Sequence, residues 1–479
     1  MNNFWDSNVW TLLLIMSALL ISLLVANILK KTISFLNKSL IPTSVLAGII
    51  LLIITSVFKA ITGVSLFDTD LFGGNGTGVL EIITYHGLGL GFIAMTLKES
   101  KKKFDKQRTA EIFNTGVTTV STYLVQALVG LLITIGFSFL ISDLIPASGI
   151  ILCFGYGQGT GQALNYGSTY QEYGLVGGRS FGLTIAALGF LSASIGGVIY
   201  LNILKKKGKI VVNEEKIYEA MNNERVENVD EIPTNGSIDK MTVQVALIIM
   251  VYAITYGLMY LLSLLVPSFR AVLFGLNFLF GVLVATLFKL LFNLFRNKGI
   301  IKKKYVNSYL MNRISGFAFD LMIVAGIAAI QLDFITNYWY VLLILGVVGA
   351  VVTFIYVRFV SRKLFNDYWI QQFFAMYGML TGTASTGMIL LREVDNNFES
   401  PVSDNLVYQN LPAIIFGFPM MLIAAFAPKD GMKSTLITLG IVVGFLIVLN
   451  IILFRSKIFK KKKVEEWCKI LLLIFQVIQ

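Results

Sequence analysis

Apolar residues run through this chain in blocks about as long as a bilayer core is thick, and short basic stretches separate the blocks. Crossing a membrane takes about 20 mostly apolar residues. Eleven blocks meet that length, near residues 8–29, 39–58, 79–97, 112–142, 180–203, 241–266, 271–295, 312–331, 339–360, 411–428 and 434–455. The pattern predicts an all-α polytopic membrane protein with about 11 transmembrane helices. Two apolar regions, 148–175 and 368–392, depart from it because glycine and hydroxyl residues interrupt them. They read FGYGQGTGQALNYGSTYQEYG from Phe154 to Gly174 and MYGMLTGTASTGMILLREVD from Met376 to Asp395. Aligned without a gap, Tyr156 falls on Tyr377, Gly157 on Gly378, Thr160 on Thr381, Gly161 on Gly382, Ala163 on Ala384 and Glu172 on Glu393. Each segment lies between the fourth and fifth span of its half.

Lipid offers no partner to an exposed N–H or C=O, so broken backbone at membrane depth persists only where it lines a protein-enclosed cavity. A matched pair of such breaks, one per half, points to a transporter's substrate site. The plainer alternative is two glycine-rich helices packing closely through small residues. Basic residues fix the orientation. Lys30 and Lys31, Lys98 to Arg108, Lys205 to Lys209, Arg296 to Lys304, Arg358 to Lys363 and Arg455 to Lys463 fall on one side of an alternating chain, which the positive-inside rule makes cytoplasmic. Lys429 and Lys433 fall outside, against that bias. The N-terminus is then external, in the cytoplasmic (cell) membrane. Five spans in the first half turn the second half over. The expected architecture is two inverted-topology five-helix repeats, 1–204 and 241–428, each with a re-entrant hairpin, the two tips meeting near the midplane. Residues 205–240 join them as a cytoplasmic linker, and 429–479 add a further span, the basic run Lys460 to Lys463 and an apolar tail.

Composition agrees with that reading. Hydrophobic residues make up 56% of the 479, charged residues 14%, and the mean hydropathy is +0.76, outside the mix of a soluble domain. The N-terminal block lacks a basic n-region and reads as a first transmembrane helix, not a signal peptide. The net charge of +12 sits beside the spans, where it sets topology and meets anionic lipid instead of nucleic acid. Cys153 and Cys468 are too few for a disulfide framework or a metal cluster. Few large apolar residues follow Val212 in the linker, so it builds no core. The tail over 464–479 is too short to cross; it lies at the interface with Trp467 as anchor, or is disordered.

The chemistry asked of the two segments is the binding of an anion and a cation. A half-helix starting inside the membrane presents free N–H groups to a carboxylate, and unwound carbonyls with hydroxyls suit sodium. Thr160, Gly161 and Gln162 in the first segment, with Thr381, Gly382, Thr383, Ala384, Ser385 and Thr386 in the second, are the candidate substrate ligands. Back-bonding within a buried helix is the plainer use of any single hydroxyl. Asp320 stands among apolar residues of a span, where a carboxylate costs at least about 2.5 to 3.5 kcal/mol. It is a candidate sodium ligand together with Thr160 and Thr383, unless it pairs with Arg313 or lies nearer the interface. Arg392 has a fork suited to a distal carboxyl group, although an arginine at a membrane boundary more often snorkels. His86, the single histidine, is more readily structural than a proton relay. No HExxH, paired catalytic aspartate or nucleophilic serine motif stands out, so no enzyme is expected, and with no Walker A sequence the driving force is an ion gradient. A channel would need a continuous polar pore instead of two converging breaks.

IPTSVLAGII after the first helix, YGQGTGQA, RISGFAFDLMIVAGIAAI and TGTASTGMILLREVD, in this order of spans, together resemble the bacterial sodium/glutamate symporter family. The resemblance extends to about residue 455, and the pair of hairpin segments is also similar to that of the citrate carriers. It implies sodium-coupled glutamate uptake, a homodimer, elevator-like displacement of a transport domain, and no cofactor beyond the coupling ion. Gln158 and Gln162 stand where a more glycine-dominated or basic pattern is expected, and the second segment lacks a doubled glycine. Another dicarboxylate or organic anion, coupled to sodium or protons, is therefore the alternative cargo.

Overall fold

The computed structural model describes residues 3–98, 106–208, 210, 238–267, 270–299, 305–395 and 400–458. Most of the expected linker, part of the basic loops and the whole 464–479 tail lie outside the described residues, which contain helices and no strand.

The principal helices are α1 (Ser7–Thr32), α2 (Thr43–Thr62), α3 (Gly76–Leu97), α4 (Lys106–Ser138), α5 (Ile151–Gln158), α6 (Thr160–Glu172), α7 (Gly178–Lys206), α8 (Lys240–Leu265), α9 (Asn277–Asn297), α10 (Ser308–Ala328), α11 (Trp339–Leu364), α12 (Trp369–Thr381), α13 (Ala384–Arg392), α14 (Asn410–Phe426) and α15 (Met432–Leu453). Among the described residues, ten helices are long and apolar enough to cross a membrane. The remaining expected span, near 411–428, is instead part of a bent pair: Val402–Tyr408 and Pro412–Phe426 meet at 47°. Proline supplies the reason. It has no N–H to donate and its ring crowds the preceding turn, and this region carries Pro412 at the bend and Pro419 within α14.

The helices sort into two compact units that do not follow the two halves of the sequence. One takes residues 1–26, 46–101 and 212–329; the other takes 27–45, 102–211 and 330–479. The first unit thus collects most of α1 and α2, then α3 and α8 to α10. The second collects α4 to α7 and α11 to α15.

In the first unit α3 lies along α10. Ser315 Oγ donates to the Gly91 carbonyl at 3.0 Å, and a Cβ on Gly91 would stand 2.5 Å from the Phe319 ring, so the bare glycine leaves room for that ring. Ile93, Ala94 and Leu97 of α3 join Ile248 and Val251 of α8, Val284 and Ala285 of α9 and Met311 of α10 in one buried cluster. Asn307 caps α10 by accepting from the Tyr309 and Leu310 N–H groups. His86 Nδ1 lies 2.8 Å from the Tyr252 hydroxyl, and Asn277 donates to that hydroxyl and to the Tyr85 carbonyl, a local network that ties α3, α8 and α9.

In the second unit the organising element is α4, 33 residues long, or about 50 Å. It packs against α5, α11, α14 and α15. Thr115, Thr119, Thr122 and Gln126, spaced by three or four residues and so on one helical face, are all buried. This polar stripe inside an apolar helix faces neighbours that supply partners. Thr119 Oγ1 donates to Gln409 Oε1 at 2.9 Å, and Gln372 Nε2 donates to Thr115 Oγ1 at 3.2 Å.

Candidate functional site

Both glycine-rich segments fold as helix, break, helix, and both belong to the second unit. In the first, a single residue separates α5 from α6: Gly159, with φ 81° and ψ −169°, a region essentially restricted to glycine. The arms then fold back, with the Phe154 and Tyr166 rings stacked at 3.6 Å. In the second, Gly382 and Thr383 separate α12 from α13, with φ of −148° and −138°. There a Cβ on Gly387 would stand 2.4 Å from the Ala375 carbonyl oxygen, so a bare glycine lets the arms close.

The breaks do not sit in the gapless register of the sequence. The second arms begin at Thr160 and Ala384, and 384 − 160 = 224, whereas Gly161 and Gly382 are 382 − 161 = 221 apart. Gly161 therefore belongs to the first turn of α6, and the residue that breaks the first segment is Gly159. Positive φ selects the position in the first segment. In the second, both break residues keep negative φ, so a threonine can occupy one of them.

The two breaks touch. A Cβ on Gly159 would lie 3.5 Å from Thr383 Cγ2 and 3.9 Å from the Gly382 carbonyl oxygen. α7 closes one flank: a Cβ on Gly189 would stand 2.6 Å from the Thr381 carbonyl oxygen, and Phe190 lies against both Gly159 and Gly382. α4 closes another. Tyr123 donates its hydroxyl to the Gly157 carbonyl at 3.0 Å, and Gln126 Nε2 donates to the Leu380 carbonyl and to Thr353 Oγ1, both at 2.8 Å. The bonds to Gly157 and Leu380 meet carbonyls that the ends of α5 and α12 leave without an intrahelical donor. The sequence-matched tyrosines also find one common residue of α7: Tyr156 pairs with Ser192 Oγ at 2.9 Å, and Tyr377 donates to the Ser192 carbonyl at 3.1 Å.

Helix ends of both signs thus converge here. The first arms end with carbonyls and a partial negative charge; the second arms begin with N–H groups and a partial positive one, each worth roughly half an elementary charge. Gly159 gives α6 no side-chain cap. One turn in, Gln162 is 1% exposed, and its Nε2 is buried with no hydrogen-bond partner among the described residues. An unmatched buried donor at a helix N-terminus suits an acceptor such as a carboxylate.

Not all the residues singled out from the sequence gather at this junction. Thr160 and Thr386 are buried there, and Thr383 caps α13 by accepting from the Thr386 N–H at 3.4 Å. Thr381 spends its hydroxyl on the Tyr377 carbonyl at 2.7 Å, which is ordinary back-bonding. Ser385 is exposed. Arg392 is exposed at the far end of α13, about 12 Å along the helix from Ala384, so the tips do not gather it. Asp320 lies on an exposed position of α10 in the first unit, so it does not share a unit with Thr160 and Thr383. Arg313, its suggested partner, donates to the Tyr309 hydroxyl. At the end of α13, burial holds the Glu393 carboxyl above the usual range, with Lys205 pulling the other way. Among the described residues no three histidine, cysteine or acidic side chains cluster as metal ligands.

Sequence reasoning passed over Tyr123, Gln126, Thr353 and Ser192. A signal for Gln126 existed, since it continues the polar face of α4 through an apolar span, where unsatisfied polar groups are costly. No family model matches this chain, and neither a curated protein nor a solved structure does.

Proposed function

We propose that this chain is a secondary active transporter, taking up glutamate with sodium across the cytoplasmic membrane, of the type the sodium/glutamate symporters represent. Another dicarboxylate or organic anion, driven by sodium or protons, is the alternative cargo. The observation that carries the reading is the contact between two helix breaks in one unit, at Gly159 and at Gly382–Thr383, with the unmatched Gln162 amide one turn away. Helix N-termini at such a junction favour a carboxylate, and the adjoining C-terminal ends favour a cation.

The division into units supports the same reading. One unit holds the first three spans of each half, and the other holds each glycine-rich segment with the spans that flank it. That is how two inverted repeats would be shared between a scaffold and a body that carries the substrate. Re-entrant placement of the hairpins, elevator-type movement, a homodimeric assembly, an external N-terminus, and sodium as the one non-protein requirement belong to this proposal. So does the absence of enzymatic chemistry.

The test is uptake of radiolabelled glutamate into proteoliposomes with and without an inward sodium gradient, with citrate, malate and aspartate as competitors. Gradient-driven accumulation that Gln162→Leu weakens through a higher KM supports the reading. No accumulation of any of these anions under sodium or proton gradients would refute it, and single-channel conductance would replace it with a pore.

A further inference from the structure

We infer that a face of the first unit, made by His86 of α3 with Ala253, Tyr256 and Gly257 of α8, docks a second copy of this chain. That face supplies the contact for the homodimer proposed above, so it rests on that part of the reading; it needs no transport activity. His86 stands 12 residues before Lys98 and Tyr252 stands 12 residues after Lys240, about 18 Å along each helix. In the orientation that the basic loops give, both sit near the middle of a hydrocarbon core about 30 Å thick. His86 is nevertheless exposed.

Its neighbours fix where its proton is. Asn277, 0% exposed, turns its amide nitrogen to the Tyr85 carbonyl and to the Tyr252 hydroxyl, both at 3.2 Å. A peptide carbonyl only accepts, so the nitrogen of that amide, and not its oxygen, must face this way. The Tyr252 oxygen therefore accepts from Asn277 and has its one proton left for His86 Nδ1, 2.8 Å away. An Nδ1 that accepts leaves the neutral imidazole with its proton on Nε2. Among the described residues Nε2 has no hydrogen-bond partner, and neither has the hydroxyl of Tyr256, which is 57% exposed.

Acyl chains offer neither group a partner at this depth, and the ester oxygens of the lipid lie about 15 Å away, at the surface of the core. A second copy offers both. Tyr256 is one turn beyond Tyr252 on α8, and helical side chains lean toward the N-terminus, which brings its hydroxyl back toward the level of His86. A two-fold axis along the membrane normal keeps every residue at its own depth. Passing between α3 and α8, it lays α3 of each copy over α8 of the other. Each His86 N–H then donates to the Tyr256 oxygen of the other copy, and the bond is made twice. The shape agrees. Ala253 is exposed and a Cβ on Gly257 would meet nothing within 4 Å, so two small residues four apart leave a notch beside Tyr256 that admits the other copy's helix.

The experiment counts copies of the full-length, fluorophore-labelled protein by stepwise photobleaching in phosphatidylcholine liposomes over a range of protein-to-lipid ratios. The wild type should pass from one copy to two as the ratio rises. His86→Leu and Gly257→Leu should each move the midpoint by about tenfold or more toward higher protein density, since the first removes two interfacial hydrogen bonds per dimer and the second fills both notches. If His86→Leu does not fold, Gly257→Leu decides alone, because its side chain meets open space in a single copy. In a Cys468→Ser background, with Cys153 buried, a short bis-maleimide should join copies carrying His86→Cys to copies carrying Tyr256→Cys. A wild type that stays single at every ratio overturns the surface. So does a dimer whose midpoint neither leucine variant moves, or one that this cysteine pair does not cross-link. Uptake separates the surface from the transporter reading. Anion uptake by a protein that stays single removes the surface and leaves the transporter. A dimer weakened in the variants, in a wild type that takes up no anion, keeps the surface and removes the transporter.

Discussion

Alanine at Gly159 separates backbone strain from steric clash at the first break. The φ of 81° and ψ of −169° there lie in a region that costs a residue other than glycine roughly 1–3 kcal/mol. The added methyl itself meets little, since the nearest atom, Thr383 Cγ2, is 3.5 Å away, an ordinary contact. Strain is thus nearly the whole effect, equivalent to a roughly 5- to 140-fold change in a folding or conformational equilibrium. Gly73 is the control, because its φ of 75° and ψ of 16° are left-handed helical values that asparagine tolerates. Thermal unfolding in detergent should show Gly159→Ala and Gly159→Asn melting below the wild type and Gly73→Asn close to it. Uptake should fall further than stability, because a chain that relieves the strain by moving its break also moves that break away from Thr383. Wild-type melting and wild-type uptake in Gly159→Ala would show that the break does not lie at this residue.

Three further outcomes are expected. Burial raises the Glu393 carboxyl above its ordinary 4.5, so the folded state holds that proton more tightly than the unfolded one; its contribution to stability is full below about pH 4.5 and is lost as pH rises to the raised value. Glu393→Gln should flatten the fall of the unfolding temperature across that window, and an unaltered slope would assign the pH dependence elsewhere. Thr383→Cys, half-buried at the tip, should lose reactivity toward a small thiol reagent only when glutamate and sodium are added together, since closure over the loaded site needs both; equal labelling with and without them, in a protein that still transports, would move the site away from the tips. Cysteines placed at Asn75 and Asn222 should be labelled from opposite sides of the membrane, and labelling of both from one side would remove the inverted arrangement.

The spans were legible because burial in lipid needs only length and apolarity. α1 and α3, for example, begin and end within three residues of the apolar blocks at 8–29 and 79–97. Bends inside an apolar run were not. The block starting at 271 becomes the short helix Arg270–Gly275 and then α9 from Asn277, and apolar residues continue on both sides of that interruption. The glycine-rich segments announced two breaks but not which residues break. Matching by residue type put Gly161 opposite Gly382, while the backbone break falls at Gly159, and nothing in residue identity separates a glycine chosen for positive φ from one in a helical turn. The partners of the break were hidden for a different reason. Gln126 and Leu380 are 254 positions apart, and only the arrangement of α4 against α12 brings them together.

The junction carries almost no formal charge. From Thr160 to Gln162 and from Thr381 to Thr386 there is no ionisable side chain, and Tyr123, Gln126 and Thr353 add none that is charged at neutral pH. A fixed charge at the middle of a span costs about 2.5 to 3.5 kcal/mol or more, whereas a helix end supplies roughly half a charge from backbone that is already folded. A hairpin broken at its tip offers both signs at once, because one arm ends where the other begins. A site of this kind is neutral when empty, charged when it holds either an anion or a cation alone, and neutral again when it holds one of each. Glutamate with a net single negative charge and one sodium ion satisfy that condition together. Each should therefore raise the affinity of the other, and by the same factor, as linkage requires. A sodium affinity that glutamate leaves unchanged would mean that the two ligands do not share this junction.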